Sequence, residues 1–364
     1  MEFREYKLKD ISALVCSPYT RSDILENGLI TFASKAKDIN VELASVYKWW
    51  KMGRLDRRDF DYGLYPPFPM AFHKHFPALA FRASTKKLYK RDQLDVLILD
   101  SDPFIVTAFQ SILYKTKPRA IIYRVSDPLY LRTSDPDLIA KEHSLLKISD
   151  EVWCPNDAVS DEISNKYGEK VVSIRNPRKQ VNREEIDDEH GWVDQKFKTL
   201  MPDYKRMGIY FGKIAIDYIF LEKIAQENSD CAFAIFGEYR NENMPKNVFF
   251  LGFQPLKRIY GFMRRSDFFF DFAYSPQGTV EKIGITAKVL AAAEFQLPYL
   301  TSTRRDELLE AGAINLNIGG GGCGINNLLN GNPILKIDLE KFREDEFISQ
   351  CSSRIQKICS NIIR

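Results

Sequence analysis

Short apolar runs alternate with helical patterns along the first half of the chain. The runs typical of buried strands are ISALVCSP (11–18), VELASVY (41–47), DVLILDSDP (95–103), RAIIYRVSDP (119–128), EVWCPN (151–156) and KVVSIRNP (170–177). Enough chain for a crossover helix separates each of the later runs from the next. This alternation predicts doubly wound α/β structure, in which helices cover both faces of a parallel sheet.

The alternation of strand-like and helical runs is interrupted once and then resumes. The stretch around QVNREEIDDEHGWVDQ is polar and acidic, so residues 179–205 are predicted to form an interdomain linker with some local structure. Strand-like runs then resume with MGIYFG, CAFAIFGEY, NVFFLGF, DFFFDFAY and LPYLTS. The pattern predicts one Rossmann-like domain over 1–178, a second over 206–337, and an amphipathic helix within 338–364.

Composition narrows the class of protein. The chain has 364 residues, of which 45% are hydrophobic and 28% charged, and this favours a two-domain globular protein. Its net charge of +3 is too balanced to indicate a protein that coats nucleic acid. The six cysteines lack the short spacings of a zinc site and fit a reduced, cytoplasmic compartment. No secretory signal and no membrane-spanning run is evident, so any membrane contact is expected to be peripheral.

Several motifs of the second half together resemble a known family. In order, GIYFGKIAIDYIFLEKIA, AFAIFG, NVFFLGF, YGFMRRSDFFFDFAYSP and EKIGITAKVLAAAEFQLPYLTS resemble the donor domain of GT-B glycosyltransferases. YRVSDP, and a lysine where many members have glutamate, most resemble the bacterial glucuronosyltransferase family of xanthan assembly. The resemblance implies two Rossmann-like domains facing a cleft, with a C-terminal helix packing back toward the acceptor-binding N-terminal domain.

The resemblance also implies an activity. The expected reaction is an inverting transfer of a sugar, glucuronate in that family, from a UDP-sugar to a lipid-linked oligosaccharide in exopolysaccharide or surface-glycan synthesis. No cofactor and no metal ion are expected. The protein is expected to be a monomer that is peripheral at the inner face of the cell membrane.

Lys288 raises a question of charge. It lies at the start of a predicted helix, where a cation is unfavourable unless an anion is near. A donor diphosphate would supply that anion, and a solvated surface lysine is the alternative. Gly212, which ends the run MGIYFG, would let the backbone approach the same diphosphate, although an ordinary tight turn explains it as well.

The remaining donor residues rest on the motifs that carry the resemblance. Glu281 is expected to accept hydrogen bonds from ribose hydroxyls, or else to be an ordinary surface carboxylate. Lys213 either reaches a phosphate or faces water. The donor residues expected from these motifs are Gly212, Lys213, Gly237, Tyr274, Glu281, Thr286 and Lys288.

An inverting transfer needs a general base near the acceptor hydroxyl. Asp127 follows a buried strand and matches the catalytic aspartate of the family, although an Asp-Pro turn or helix cap is the competing interpretation. The family tends to have a second acidic residue where Pro128 stands. Asp102 is the second candidate for the base by the same argument. His143 and Arg124 are expected to be structural, Arg124 buried with a carboxylate partner.

Residues 62–91 combine aromatic and basic side chains and contain no Asp or Glu. Such a mixture suits an anionic membrane surface that delivers a lipid-linked acceptor. Binding of single-stranded nucleic acid and a solvated basic rim are the alternatives. The predicted membrane and acceptor patch consists of Phe68, Phe72, Lys74, Phe76, Arg82, Lys86 and Lys87.

Two other functions fit the same sequence. One is a retaining GT-B transferase or a UDP-sugar epimerase that acts on a soluble substrate. The other is a non-catalytic nucleotide-binding or nucleic-acid-binding module.

Overall fold

A computed structural model describes most of the chain. The described residues are 11–18, 28–46, 62–64, 94–126, 128–129, 133–178, 183–200, 203–212, 216–237, 243–274, 284–316, 324–331 and 333–362. They divide into two compact units, one within 1–177 and 342–364 and the other within 178–341. Each unit contains a parallel sheet with helices on its faces.

The described strands of the first unit form one parallel sheet of seven strands in the order β3-β2-β1-β4-β5-β6-β7. These strands are β1 Ser12–Ser17, β2 Asn40–Val46, β3 Tyr62–Leu64, β4 Leu94–Asp100, β5 Pro118–Arg124, β6 Glu151–Cys154 and β7 Val171–Ser173. The helices are α1 Gly28–Lys35, α2 Pro103–Thr116, α3 Pro136–Ile148, α4 Asp157–Tyr167 and, from the end of the chain, Glu344–Ile362. The predicted strands of the first half are thus present.

Alternate residues of the strands face two separate hydrophobic clusters, as the twofold repeat of a strand requires. Along β4, Leu97 and Leu99 pack with α2 and α3, whereas Val96 and Ile98 pack with α1 and the helix Glu344–Ile362. Both faces of the sheet are therefore buried, which explains why its strands appear in the sequence as continuous apolar runs.

The second unit has the same winding. Its described strands form a parallel sheet of six strands in the order β10-β9-β8-β11-β12-β13. They are β8 Arg206–Phe211, β9 Cys231–Phe236, β10 Val248–Phe250, β11 Phe268–Asp271, β12 Tyr299–Thr301 and β13 Ile314–Asn315. The helices are α5 Arg183–Asp187, α6 His190–Leu200, α7 Tyr218–Glu227, α8 Leu256–Met263, α9 Ala287–Glu294, α10 Asp306–Glu310 and α11 Ile325–Leu329, and Glu344–Ile362 is α12.

Aromatic rings fill the core of the second unit. Phe233 lies edge-to-face with Phe268 and Phe270, at centroid distances of 5.9 and 5.4 Å. The Phe268 ring also covers Gly208 on the neighbouring strand, where an added Cβ would lie 2.2 Å from the ring. Gly208 is thus required by this close approach, and β8 and β11 are held in register beside each other.

The prediction of a linker over 179–205 is wrong for its described residues. Helices α5 and α6 lie in this stretch, and Val193, Phe197 and Leu200 are buried in the core of the second unit. The acidic residues that suggested a linker pair instead with basic residues of α8 and the turn after it. The pairs are Asp187–Arg264, Glu189–Lys257, Glu189–Arg258 and Asp194–Arg265.

Helix α12 belongs to the first unit. It packs against α1 and the central strands, and Phe347, Cys351, Ile355 and Ile358 are buried there, whereas Ile362 is 42% exposed. Arg354 pairs with Glu151 at the start of β6. Within the part of the chain that the structure describes, no helix has both the length and the apolar character needed to cross a membrane.

Candidate functional site

The topology of the second unit identifies one edge of its sheet as the place for a ligand. Strand order reverses between β8 and β11, which run parallel side by side, and open α/β sheets bind ligands at the carboxyl ends of the strands at such a switch point. Gly212 follows β8 directly and Asp271 is the last residue of β11. The candidate donor site is therefore centred on these two strand ends.

A buried group of charged side chains surrounds Asp271. Lys288 Nζ lies 3.1 Å from Asp271 Oδ1, while Arg305 Nη2 and Tyr299 Oη donate to Oδ2 at 2.8 and 2.7 Å. Asp271 and Arg305 are 0% and 2% exposed, and Lys288 is 8% exposed. We call Asp271, Lys288, Tyr299 and Arg305 the Asp271 cluster.

The Asp271 cluster contains more positive than negative charges. Two cations, Lys288 and Arg305, share one carboxylate, which leaves one excess positive charge among its buried members. A buried charge without a full counter-charge is costly. The cluster is consequently suited to a further anion at the end of β11.

The pKa values reflect this arrangement. Burial alone would raise the pKa of Asp271, but Lys288 and Arg305 together hold it well below its usual range. Burial lowers the pKa of Lys288, and the charge of Asp271 opposes that shift. Burial, with the Asp271 carboxylate, raises the pKa of the Tyr299 phenol far above its ordinary value, so this hydroxyl acts as a hydrogen-bond donor.

The start of α9 adds a second electropositive feature. Lys288 is the second residue of this helix, and the N-cap residue Thr286 makes no side-chain capping bond. Thr286 Oγ1 is buried and has no hydrogen-bond partner among the described residues. A helix N-terminus with an unused cap presents backbone N–H groups and the positive end of the helix dipole.

Gly212 lies beside the Lys288 side chain. Its φ is +153°, a conformation that favours glycine, and an added Cβ would lie 3.2 Å from Tyr210 Oη and 3.3 Å from Lys288 Cδ. The Lys288 ammonium also lies 4.7 Å from the centroid of the Tyr210 ring, a cation–π distance. The structure thus brings together Gly212, Thr286 and Lys288 of the predicted donor residues, and it excludes the solvent-exposed alternative for Lys288.

The other predicted donor residues are distributed along the same edge or lie outside the described residues. Gly237 follows β9, next to β8, and its N–H donates to Gly252 O at 3.2 Å. Tyr274 comes three residues after β11 and is 54% exposed. Lys213 and Glu281 lie outside the described residues.

The carboxyl edge of the first unit contains a buried carboxylate at its own switch point, between β1 and β4. Asp100 accepts hydrogen bonds from Ser17 Oγ at 3.0 Å and from Ser126 Oγ at 2.7 Å. Ser126 precedes the predicted base Asp127, which lies outside the described residues. The carboxylate of Asp102 caps α2 by accepting from Phe104 N and Ile105 N, which gives this second candidate a structural role.

Arg124 and His143 have structural roles, as predicted, but the prediction that Arg124 pairs with a carboxylate is wrong. Arg124 is 1% exposed, but its guanidinium donates to the carbonyls of Cys154 and Ile174 and to Asn176 Oδ1 rather than to a carboxylate. The strand ends beside β5 offer backbone carbonyls at this position, which explains the difference. His143 lies on α3 with its ring edge against Tyr167, at 6.4 Å between centroids.

The predicted membrane and acceptor patch lies outside the described residues. The described residues contain no cluster of three or more His, Cys, Asp or Glu that could bind a metal ion. The expectation of metal-independent transfer stays a prediction.

Sequence reasoning missed three members or neighbours of the site: Asp271, Tyr299 and Arg305. Asp271 carries a recognisable signal, because a carboxylate that ends the buried run DFFFD must find partners. Arg305 lies 34 residues further along the chain, and no periodic pattern connects it to Asp271.

Comparisons with solved structures show the same architecture at low sequence identity. Alr3699/HepE of Anabaena, solved in a complex with UDP, is 12% identical with a TM-score of 0.60, covering 97% of this chain and 98% of that chain. A glycosyltransferase of Rickettsia africae is 10% identical with a TM-score of 0.58, covering 96% and 99%. UDP-GlcNAc 2-epimerase of Methanocaldococcus jannaschii is 12% identical with a TM-score of 0.52, covering 95% and 99%.

These likenesses, with the two doubly wound sheets, define the chain as an α/β protein with the two-domain GT-B fold. The predicted fold class is confirmed. No protein-family model and no curated protein matches the sequence. The closer resemblance to the glucuronosyltransferases of xanthan assembly stays a prediction.

Proposed function

We propose that this protein is a glycosyltransferase that takes its sugar from a UDP-sugar and binds the donor diphosphate at the start of α9. The observation that supports this most directly is the Asp271 cluster, where two buried cations share one carboxylate beside Gly212. The fold is shared with a protein solved in complexes with UDP and with UDP-glucose, and with a glycosyltransferase.

The chemistry follows from charge. Breaking the glycosidic bond places additional negative charge on the diphosphate leaving group. The Lys288 ammonium and the N–H groups of α9 would stabilise that charge more strongly in the transition state than in the ground state. We therefore propose that these groups serve in place of a divalent metal ion.

The acceptor half of the proposal rests on the sequence. Asp127 is the proposed general base of an inverting transfer, and glucuronate is the proposed sugar. The acceptor is a lipid-linked oligosaccharide of exopolysaccharide or surface-glycan synthesis, delivered at the inner membrane face to the aromatic and basic patch that includes Phe72, Lys74 and Arg82.

A donor screen tests this function. The purified protein is titrated calorimetrically with UDP, UDP-glucuronate, UDP-glucose and UDP-GlcNAc, with ADP-glucose and GDP-mannose as controls. UDP and one UDP-sugar should bind, and that sugar should appear on a lipid extract with inverted anomeric configuration by NMR. Absence of UDP binding at about millimolar concentration would disprove the proposal. A Kd of about 1 mM corresponds to a binding free energy of about −4 kcal/mol.

An epimerase is the second candidate, because UDP-GlcNAc 2-epimerases share this fold at TM-scores of 0.54 and 0.52. An epimerase needs no acceptor. Incubation of the protein with UDP-GlcNAc alone, followed by NMR, tests it: a new UDP-sugar epimer would establish this candidate, and unchanged UDP-GlcNAc would eliminate a UDP-GlcNAc 2-epimerase. Binding of UDP without any turnover would instead indicate a non-catalytic module.

A further inference from the structure

The two oxygens of the Asp271 carboxylate have different partners. Oδ2 accepts from Arg305 and Tyr299, whereas Oδ1 accepts from Lys288 at 3.1 Å. The Arg305 guanidinium is further fixed by a bond of 3.2 Å from Nη2 to Thr301 Oγ1. Asp271 would thus keep a cationic partner and a hydroxyl donor even if Lys288 moved away.

Lys288 is placed differently from Arg305. Its side chain is 10% exposed, against 2% for Arg305, and it passes directly beside Gly212. Its flexible four-carbon stem enters from the first turn of α9, where the N-cap residue Thr286 makes no side-chain capping bond. Of the two cations, Lys288 is the one that can reach an anion at the strand ends.

We propose that Asp271 is a positioning residue: it holds the Lys288 ammonium beside Gly212 before the donor binds and releases it to the diphosphate, while Arg305 and Tyr299 remain bonded to Asp271. This inference rests on the proposed function. It adds that the lysine exchanges one anion for another, so that Asp271 both prepares Lys288 and competes with the donor for it.

The charged and titratable groups around Lys288 come from four elements. Tyr210 lies on β8, Asp271 ends β11, Tyr299 lies on β12, and Arg305 precedes α10. On α10, Glu307 accepts from Ile285 N at 3.2 Å, just before α9. Only Asp271 among these contributes a fully buried negative charge at the ammonium.

Removing that charge should therefore change how UDP affinity depends on pH, whereas a general disruption of the site would lower the affinity at every pH. Burial lowers the pKa of Lys288 and Asp271 counteracts this, so in Asp271→Asn the ammonium should lose its proton at a lower pH. At acidic pH the variant's lysine is still charged and has no competing carboxylate. Affinity for UDP should then equal or exceed that of the wild type.

The test is calorimetric titration of UDP and uridine into wild type and Asp271→Asn, from about pH 6 to about pH 9.5 at constant ionic strength. Asp271→Asn should match or exceed wild-type UDP affinity at the acidic end and lose about tenfold or more, relative to wild type, at the alkaline end. Uridine lacks the phosphates, so its affinity should stay the same in both proteins.

Two variants separate the charge from its surroundings. Tyr299→Phe removes a bond to the same carboxylate without changing charge, and its UDP profile should run parallel to the wild type. Asp267 immediately precedes β11, at the end of the strand opposite Asp271, and pairs with Arg206 at 2.8 Å. Asp267→Asn should therefore have no effect on the pH profile of UDP affinity. If Asp271→Asn does not fold, the double variant Asp271→Asn, Arg305→Gln removes one charge of each sign. The charge of Arg305 itself lowers the pKa of Lys288, so the double variant should show an alkaline loss in the same direction that is smaller.

The outcomes differ for each hypothesis. The positioning role is overturned if the wild type binds UDP and the pH profile of UDP affinity in Asp271→Asn, or in the double variant, runs parallel to that of the wild type. The proposed donor site would be unaffected by that result. A profile change of equal size in Tyr299→Phe would overturn it as well. Wild type that does not bind UDP at any pH would overturn the proposed function and this inference with it.

Discussion

Arg305 donates to the Asp271 carboxylate at 2.8 Å, and both side chains are buried where β11 and β12 end. This pair is charge-neutral and nearly inaccessible to solvent. It leaves Lys288, a second cation at the same carboxylate, as the excess positive charge of the Asp271 cluster. The candidate donor site is then a neutral pair with one additional ammonium, and the first prediction concerns that ammonium.

Lys288→Ala should weaken UDP binding by roughly 1–3 kcal/mol, the scale of a hydrogen bond to a charged group. The Arg305–Asp271 pair remains, so the fold should be retained. Calorimetric titration of UDP measures the effect. Lys198→Ala, on the exposed face of α6, is the matched control and should bind UDP as the wild type does. Identical UDP titrations for the Lys288 variant and the wild type would remove Lys288 from the site.

Gly212→Ala should weaken UDP binding and destabilise the second unit. Its φ of +153° is unfavourable for alanine, and the new Cβ would crowd Tyr210 and Lys288. Such strain costs about 1–3 kcal/mol. Gly191→Ala in α6, where an added Cβ would have nothing within 4 Å, should instead stabilise the protein by roughly 0.5–1 kcal/mol. Urea denaturation compares the two, and equal stabilities would refute the argument.

Asp127→Asn should abolish sugar transfer and leave UDP affinity nearly unchanged, because asparagine cannot accept the proton of the acceptor hydroxyl. The chain offers matched controls in two further Asp-Pro dipeptides, at Asp102 and Asp135, whose carboxylates cap α2 and α3. Asparagine caps helices as well as aspartate does, so Asp102→Asn and Asp135→Asn should retain turnover. Loss of activity in Asp102→Asn alone would move the base to Asp102.

The stabilisation from Asp271 without nucleotide should depend on pH in one direction. Its pKa in the folded protein is below the unfolded value of about 3.9, so the stabilisation is complete above about pH 4 and is lost as the pH falls further. Asp271→Asn should cost roughly 3–5 kcal/mol at about pH 7, and less at about pH 3. Denaturant titration at both pH values gives the comparison. A difference that stays constant between them would show that Asp271 is not held ionised by its two cations.

The fold was readable from the sequence because both faces of each sheet are buried. Strands such as β4 and β9 consist almost entirely of apolar residues, and they stand out from the polar turns between them. The same logic failed at α5 and α6. Their acidic residues are neutralised by Lys257, Arg258, Arg264 and Arg265 some 70 residues away, and pairing over that distance leaves no local pattern.

The site was readable only in part, for a related reason. Gly212 and Lys288 lie at positions where backbone geometry makes their residue types unusual, so a local argument could find them. Asp271 and Arg305 act through a contact between two strand ends, and only the folded sheet brings them together. The anion at Lys288 is Asp271 in the structure, and a diphosphate is a second anion that the proposal adds.

Helix α12 has a consequence for how the chain is made. The core of the first unit includes Phe347, Cys351 and Ile355, which are translated after the whole of the second unit. Until α12 has been synthesised, therefore, one apolar face of the first sheet is covered only in part, by α1. The amino-terminal half of the chain should therefore complete its core last, and chains that stop before residue 344 should be the ones that chaperones and proteases engage.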